Sequence, residues 1–350
     1  MKEAIVSKGP KVAIHDVPIP MPNADQVLIK VVYSGSNPKD WKRPEFAGKS
    51  HNSGDDIAGI VEEVGENVVE FKKGDRVAAF HEMMTEHGSF AEYAIAWNHT
   101  TFHLPKKTSF EEGATIPLAA MTAALGLYVR LGLPEPWNAP TTPLPLIVYG
   151  ASGAVGAYAI KLAQASNIHP IIAIAGRGQP FVETLISREK GDSIIDYRNG
   201  DEAVVSGIKD ALKKAGASEV RHAFDAVSEK GSFQNISKVL ANQGSKITLV
   251  LPGGDYKDIP ESIEKSLTMV GSVHMAPSEE KSKAGVKLGG KDFGFAWFRL
   301  FSKGLQEGWF TTHPYEVVPG GLNGVEKGLS NLKEGVNSAT KYIFKIEDTK

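Results

Sequence analysis

One stretch, from Leu144 to Leu162, restricts the fold of this 350-residue chain more than any other. It opens with an apolar run, Leu146 to Tyr149, which has the length of a buried strand. Three glycines follow at intervals of three residues, and apolar residues then recur with the period of a helix. Strand, glycine turn and helix in this order predict a turn that binds a dinucleotide.

Each part of this turn has a physical reason to hold phosphate. Glycine lets the backbone bend sharply and approach a pyrophosphate, and Gly156 would let the helix lie close against the sheet. The free N–H groups and the positive dipole end of the helix attract the phosphates. We therefore expect the whole turn to contact the cofactor, through Gly150, Ala151, Ser152, Gly153, Ala154, Val155 and Gly156.

Downstream of this turn, predicted strands and helices alternate. The patterns predict strands over residues 170–175, 193–197, 222–227, 246–251 and 266–275, and helices over 181–190, 201–214 and 233–240. Such alternation implies right-handed crossovers and a parallel, doubly wound sheet, which is the Rossmann architecture of the α/β class.

The first third of the chain has a different character, with short strands separated by turns. Ser109 stands three residues before Glu112, which predicts a helix start with a capping box. Near the other end, residues 278–290 are expected to form an exposed loop, followed by a helix over 293–304 and a strand over 341–346. A compact, barrel-like β region is predicted from strands over residues 2–7, 12–17, 26–34, 56–64, 76–80 and 89–96.

Composition narrows the set of partners. Hydrophobic residues make up 41% and charged residues 23% of the chain, and the formal net charge of −2 gives no reason to expect nucleic acid or an anionic membrane as a partner. The absence of cysteine excludes disulfides and thiolate metal sites. With neither a signal-peptide pattern nor a bilayer-spanning apolar run, we expect a cytoplasmic protein that acts on a small molecule.

The residues after the second strand of the predicted sheet bear on the choice of cofactor. Proteins that bind NAD commonly have an acid there, about 20 residues beyond the glycines, which accepts the ribose 2′-hydroxyl. This chain has Gly176 and Arg177 instead. Arginine can form paired hydrogen bonds with a 2′-phosphate, so we expect NADPH; the alternative is a solvated surface arginine. Tyr197, after the third strand, is expected either to pack on the adenosine or to serve ordinary strand packing.

Several segments resemble the medium-chain dehydrogenase/reductase superfamily over nearly the whole chain. Residues 54–65, GDDIAGIVEEVG, are similar to the family's Gly-His-Glu-x-x-Gly-x-Val segment, and residues 151–156 resemble an Ala-x-Gly-x-x-Gly variant of its fingerprint. Further family stretches are residues 73–77, 88–93 and 114–123. The resemblance implies a GroES-like, barrel-type catalytic domain, residues 1–126 with 277–350, and a Rossmann domain, residues 127–276.

Two departures from the family pattern concern zinc. Alcohol dehydrogenases of the family have a zinc-binding Cys where this chain has Asn37, and a zinc-binding His where it has Asp55. Zinc prefers nitrogen and sulfur donors, so an amide and one carboxylate would make a poor site and no metal is expected. The chain is therefore similar to the zinc-independent quinone oxidoreductases and enoyl reductases, above all to fungal reductases resembling the trans-acting enoyl reductases of polyketide pathways.

The resemblance also implies roles for four residues. Thr122 lies beside the nicotinamide, Asn37 donates to its ribose or to the substrate carbonyl, and Lys39 stands where zinc enzymes of the family have a hydroxyl proton relay. Lys341 matches a basic residue that often reaches the cofactor phosphates. Each position has an ordinary alternative, namely a threonine inside a helix, a turn amide, a solvated loop lysine and a lysine at a strand edge.

Three histidines fall in predicted loops that could border a substrate site: His51, His81 and His87. No pair of them has a recognised metal-ligand spacing. We therefore expect scattered surface histidines.

Taken together, these features predict a zinc-independent, NADPH-dependent reductase of a conjugated carbonyl, quinone or enoyl group. Two alternatives remain open, an aldehyde or alcohol oxidoreductase with the same hydride chemistry and a non-catalytic NADPH-binding protein. We expect a monomer or a homodimer, and an acyl-carrier partner that delivers the substrate is a further open alternative.

Overall fold

The computed structural model describes residues 1–275 and 290–350, which divide into two compact units. Unit 1 contains Met1–Met121 and the described residues of Gly271–Lys350, and unit 2 contains Thr122–Val270. In these described ranges no helix is long and apolar enough to cross a membrane. The loop expected at residues 278–290 lies outside the described residues except for Gly290, which begins a helix.

The strands, numbered in chain order, are β1 Lys2–Ser7, β2 Lys11–Asp16, β3 Gln26–Gly35, β4 Asp56–Val64, β5 Arg76–Phe80, β6 Tyr93–Trp97, β7 Thr101–His103, β8 Leu146–Tyr149, β9 Ile171–Ala175, β10 Ser193–Asp196, β11 His222–Asp225, β12 Ser245–Leu249, β13 Ile263–Leu267, β14 Tyr315–Val317 and β15 Lys341–Lys345. The α-helices are α1 Pro38–Ala47, α2 Phe110–Gly113, α3 Pro117–Ala124, α4 Ala154–Ala165, α5 Gln179–Glu183, α6 Asp201–Lys214, α7 Ser232–Ser237, α8 Gly290–Glu307 and α9 Val325–Glu334. A π-helix, Leu125–Arg130, continues α3.

Unit 2 is built on a six-stranded parallel sheet in the order β10-β9-β8-β11-β12-β13. Strands β8 and β9 are apolar throughout and fully buried, because helices cover both faces of such a sheet. The order reverses direction at β8, which is where open α/β sheets bind ligands at the carboxyl ends of their strands. The predicted α/β class with a doubly wound parallel sheet is confirmed.

Unit 1 contains a seven-stranded sheet in the order β14-β15-β3-β4-β5-β7, with β6 paired to the other part of β3. Apart from the parallel β14–β15 pair, its neighbours run antiparallel. β1 and β2 form a separate antiparallel hairpin. The core of this unit collects apolar side chains from both parts of the chain, among them Ile29, Val61, Phe90, Leu329 and Phe344. The first third is therefore the β-rich region that the sequence predicts.

Three element predictions are wrong in extent. The helix expected over 181–190 is only the short α5, because the Asp192 carboxylate accepts a hydrogen bond from the Ser187 backbone N–H at 2.9 Å and holds a turn there. The strand expected over 266–275 ends at Leu267, and a 3₁₀ helix, Val270–His274, follows. The strand expected over 89–96 starts only at Tyr93.

Helix α1 is absent from the sequence-based prediction because it contains two prolines. Pro38 is harmless at the first turn, where its missing N–H is not needed. Pro44 lies inside the helix and leaves the carbonyl of Asp40 without its usual helical donor. The Ser53 hydroxyl donates to that carbonyl at 3.0 Å, so a tertiary contact compensates for the loss.

Candidate active site

The turn between β8 and α4 has the geometry expected of a phosphate-binding loop. Gly150 has a φ of 77°, which lies in the left-handed region that favours glycine. A Cβ on Gly156 would fall inside contact distance of the Gly150 carbonyl and 2.9 Å from the Cα of Ala151. The first turn of α4 can therefore lie against the glycine turn only while residue 156 has no side chain.

The start of α4 leaves backbone donors available to a ligand. Gly153 precedes the helix and has no side chain with which to cap it. The seven residues predicted to contact the cofactor, 150–156, are contiguous in this turn. An anion at a helix start of this kind is stabilised by the N–H groups and by the helix dipole.

The neighbouring strand ends bring three more predicted residues to the same edge of the sheet. Ala175 of β9 pairs with Asp196 of β10, so Gly176 and Tyr197 follow at matching positions. A Cβ on Gly176 would meet the Tyr197 ring at 2.7 Å, and the tyrosine is 47% exposed. Arg177 follows at the surface. Tyr197 therefore packs against Gly176 and keeps one part of its ring accessible.

Sequence reasoning missed a second arginine at this edge. Arg198 donates from both Nε and Nη2 to the Asp196 carboxylate, at distances between 2.6 and 3.1 Å. The guanidinium holds the pKa of Asp196 well below its usual range. The pair could have been noticed from the spacing of Asp196 and Arg198 on either side of Tyr197, although spacing alone does not distinguish it from a chance surface pair.

In unit 1, Asn37 takes part in a buried polar cluster with Asp56 and Lys341. The Asn37 Nδ2 donates to Asp56 Oδ2 at 2.7 Å, and Lys341 Nζ donates to Asn37 Oδ1 at 3.0 Å and to Asp56 Oδ2 at 2.6 Å. Asp56 Oδ1 accepts from the backbone N–H of Leu118 at 2.7 Å. The cluster therefore ties α1, β4, β15 and the start of α3 together.

This geometry changes the interpretation of Lys341. The side chain is 4% exposed and its ammonium is bonded to a carboxylate and an amide inside unit 1. A lysine that contacts phosphate needs its ammonium directed to a ligand, whereas this one neutralises a buried carboxylate. The structure therefore favours an internal structural role over the predicted phosphate contact.

Lys39 belongs to a second ionic cluster, at the start of α1. Its ammonium lies 2.9 Å from Asp40 Oδ1, forms a close ion pair with Asp55 Oδ2 and donates to the backbone carbonyl of Ser53. Both carboxylates are buried, while the Lys39 side chain is 19% exposed. The expected alternative of a freely solvated lysine is therefore wrong, because the ammonium is held in place by two carboxylates.

His81 completes this cluster, and its prediction as a surface residue is wrong. The residue is 1% exposed. Its Nδ1 lies 2.9 Å from Asp55 Oδ1, and its Nε2 lies 2.9 Å from the carbonyl of Glu86. The sequence contains no signal for this burial, because His81 follows directly after β5 in a polar segment. His51 and His87 are half-buried.

The close packing of these charges shifts their pKa values. Burial raises the pKa of Asp40 to about 7, although the neighbouring Lys39 acts in the opposite direction. Burial also acts to lower the pKa of Lys39 and to raise that of Asp55, but the attraction between the opposite charges outweighs it in both cases. Lys39 therefore has a raised pKa and Asp55 a lowered one, which keeps both charged at neutral pH.

The residues that replace the family's zinc ligands do not suit a metal ion. Asp55 is occupied by Lys39 and His81, and the Asn37 amide is bonded to Asp56 and Lys341. Across the two described ranges, no group of three or more His, Asp or Glu side chains is arranged to hold a metal. In this chain the cation between the carboxylates is an ammonium.

The third predicted catalytic residue, Thr122, is buried in α3. It belongs to unit 2, whereas Asn37 and Lys39 belong to unit 1. The roles of these three residues stay predictions.

Comparison with known proteins agrees with this architecture. Residues 23–106 match the family model described as the alcohol dehydrogenase GroES-like domain. A curated relative from Gibberella fujikuroi, trans-enoyl reductase fsr4, is 51% identical over 328 residues, which cover 93% of this chain and 92% of the relative. Trans-enoyl reductase resD from Aspergillus sclerotiorum is 30% identical over 98% of this chain and 100% of its own length.

Solved structures with the same fold span nearly the full chain. The enoyl reductase CurK superposes with a TM-score of 0.75 at 17% identity, covering 98% of each chain. A mycobacterial protein complexed with NADPH has a TM-score of 0.75 at 16% identity, covering 98% of this chain and 99% of its own. At these identities the likeness establishes the fold, with its GroES-like and Rossmann parts.

Proposed function

Since this chain belongs to the medium-chain dehydrogenase/reductase superfamily, together with fungal trans-enoyl reductases, we propose that it is an NADPH-dependent, zinc-independent reductase of carbon–carbon double bonds conjugated to a carbonyl. Enoyl groups are the first candidate substrates and quinones the second. The observation that carries this proposal is the Lys39 ammonium held between Asp40 and Asp55, where a zinc enzyme would need metal ligands.

The cofactor proposal rests on unit 2 alone. Residues 150–156 would hold the pyrophosphate at the start of α4, with Gly176 and Tyr197 beside the adenosine. Arg177 would bind the 2′-phosphate, since no acid follows β9 to accept a 2′-hydroxyl. Strand β10 does end in a carboxylate, that of Asp196, but Arg198 neutralises it.

The chemistry needs little from the protein besides positioning and charge. NADPH, when bound, supplies the hydride, and the protein must stabilise negative charge on the carbonyl oxygen and deliver a proton. A positively charged group near that oxygen lowers the barrier because it stabilises charge that develops only in the transition state.

Lys39 is the proposed source of that charge and proton. Its pKa stays raised, so it is protonated when the substrate arrives, and its side chain retains some exposure. Donation breaks the N–H bond of Lys39 and forms a C–H or O–H bond on the enolate. Asn37 and Thr122 are proposed to orient the nicotinamide ribose and the nicotinamide ring.

A panel of acceptors tests this function directly. The purified protein is incubated with NADPH and, separately, with a 2-enoyl thioester, a quinone, an unconjugated aldehyde and no acceptor, and NADPH oxidation is followed. We expect turnover with the enoyl thioester and a lower rate with the quinone. Turnover only with the aldehyde would instead indicate an alcohol or aldehyde oxidoreductase, and tight NADPH binding without any turnover would indicate a binding protein.

A further inference from the structure

The ionic cluster around Lys39 and its two carboxylates also includes the ring of His81. Two buried carboxyl groups, Asp40 and Asp55, face a single ammonium, that of Lys39, so one negative charge remains to be balanced whenever both are ionised. An unbalanced charge in a buried site is costly. The group placed to balance it is His81, whose ring contacts Asp55.

The hydrogen bonds of His81 favour a ring with two protons. Nδ1 faces the Asp55 carboxylate at 2.9 Å, and Nε2 faces the Glu86 carbonyl at 2.9 Å, and both of these partners only accept. The Thr85 hydroxyl lies 3.2 Å from Nε2 but donates its own hydrogen to the Glu82 carbonyl at 2.8 Å, so it too accepts from the ring. Only the imidazolium form supplies a hydrogen to both sides.

Among the residues that the structure describes, the other histidines near the cluster do not balance the charge at neutral pH. His51 and His274 interact electrostatically with the cluster, but burial lowers the pKa of both, that of His274 to about 4. Asp40, whose pKa burial raises to about 7, competes for this proton, yet its two oxygens face the Lys39 ammonium and the backbone N–H of Asn37, which are both donors. His81 faces an acceptor at each ring nitrogen and is therefore the better place for the proton.

We propose that His81 and Asp55 form a proton supply for Lys39. The contacts run from Thr85 and Glu86, which are exposed, through the buried His81 and Asp55 to the Lys39 ammonium. This inference rests on the proposed reductase function, in which Lys39 gives up one proton in each turnover.

After Lys39 has protonated the enolate formed by hydride addition, the Nδ1–H bond of His81 breaks and an O–H bond forms at Asp55 Oδ1. The protonated carboxyl group then rotates so that this O–H faces the neutral amine, where the O–H bond breaks and an N–H bond forms on Lys39. Lys39 is an ammonium again, Asp55 is again ionised, and His81 is left with its Nε2 proton alone. The vacant nitrogen, Nδ1, regains a proton from solvent when the ring turns it towards the exposed segment of Thr85 and Glu86. No oxidant or reductant beyond the nicotinamide is required.

The first test measures the charge state without any turnover. Nitrogen NMR of histidine-labelled protein at neutral pH should show both ring nitrogens of His81 protonated, with H81N used to assign the signals. Asp40→Asn removes a negative charge and should convert His81 largely to the neutral ring, whereas Asp192→Asn, which alters the separate His169–Asp192 pair of unit 2, should leave it unchanged. A neutral His81 in the wild type, or one insensitive to Asp40→Asn, overturns the proposal.

The second test uses a variant that keeps the hydrogen bond and loses the proton carrier. In the His81→Asn variant, the side-chain amide can still donate to Asp55 in place of Nδ1, but it cannot take up a proton. We expect kcat to fall about tenfold with KM and NADPH affinity unchanged, and the solvent deuterium isotope effect on kcat to rise. A wild-type kcat and isotope effect in H81N contradict the relay. A wild type that reduces no enoyl thioester or quinone contradicts the proposed function instead, and the NMR result then decides the charge assignment by itself.

Discussion

At the scale of single residues, two lysines show that a basic side chain takes its role from its partners. Lys341 and Lys39 are both candidates for contact with a ligand from sequence alone. The first is enclosed with Asp56 and Asn37, whereas the second lies between two carboxylates and retains partial exposure. The partner of Lys341 cannot be found from spacing in the chain, because Lys341 and Asp56 are 285 residues apart, and the contact of Lys39 with Asp55 likewise depends on the fold.

Replacing Lys341 by Met should destabilise unit 1 by about 3–5 kcal/mol, because Asp56 would remain as a buried charge without a partner. Urea unfolding measures the loss. The double variant K341M/D56N should recover part of it, since the unpaired charge is then removed. If K341M instead weakens NADPH binding and leaves the unfolding free energy unchanged, Lys341 is a phosphate ligand after all.

Replacing Arg177 by Ala should raise the KM for NADPH about 10- to 100-fold and leave that for NADH nearly unchanged. The reason is that the guanidinium would bind the 2′-phosphate, which NADH lacks. Arg188→Ala is the matched control, since that arginine pairs with Glu183 at the surface. An equal rise in KM for both cofactors, or no rise for either, would show that Arg177 does not bind the 2′-phosphate.

At the scale of elements, the regular patterns were the predictable ones. β4 over Asp56–Val64, β5 over Arg76–Phe80 and α6 over Asp201–Lys214 have the bounds that periodicity and turn residues predict. Helix α1 could not be predicted, because its Pro44 is tolerated through a hydroxyl from Ser53, and local sequence says nothing about that contact. The wrong predictions concern elements whose bounds depend on contacts with residues distant in the sequence.

The turn between β8 and α4 makes a prediction at this scale. Gly156→Ala should cost unit 2 about 1–3 kcal/mol and weaken NADPH binding, since the new Cβ would collide with the backbone of the turn and displace α4. Gly153→Ala is the control for stability alone, because its Cβ would be no closer than 3.4 Å to the Gly150 carbonyl. Thermal unfolding and NADPH titration measure both effects. Equal stability of the two variants would contradict the close packing of α4.

At the scale of the whole molecule, buried neutral histidines make stability depend on pH. Burial lowers the pKa of His274 to about 4, whereas the unfolded chain would take up the proton near the ordinary value of 6.5. The contribution of His274 to the free energy of unfolding is therefore fully present above about pH 6.5. It is lost as the pH falls towards 4, because the unfolded state binds the proton first. Burial lowers the pKa of His99, whose ring centroid lies 5.9 Å from that of His274, in the same way.

His274→Phe isolates this effect, because phenylalanine cannot be protonated. Wild type should lose about 2 kcal/mol more stability than H274F when the pH is lowered from about 7.5 to 4.5, as the shift of its pKa implies. The raised pKa of Asp40 acts in the opposite direction but is common to both proteins, so it cancels in the difference. A stability difference that stays constant across this range would mean that His274 is not buried in its neutral form.

Over the whole molecule, the two halves of the proposed site differed in how far sequence could predict them. The nucleotide turn is local, so strand, glycines and helix identify it from one stretch of chain. The ionic cluster joins Lys39 and Asp40 on α1, Asp55 before β4 and His81 after β5, and only the fold brings these together. For that reason Lys39 was found by resemblance and His81 was missed.

We propose that this chain reduces a conjugated double bond with NADPH and without a metal. The most direct measurement is the rate of NADPH oxidation with a 2-enoyl thioester, made on protein before and after exhaustive treatment with a zinc chelator and paired with elemental analysis. We predict the same rate in both samples and no zinc in either. A rate that disappears on chelation and returns when zinc is added would contradict the account.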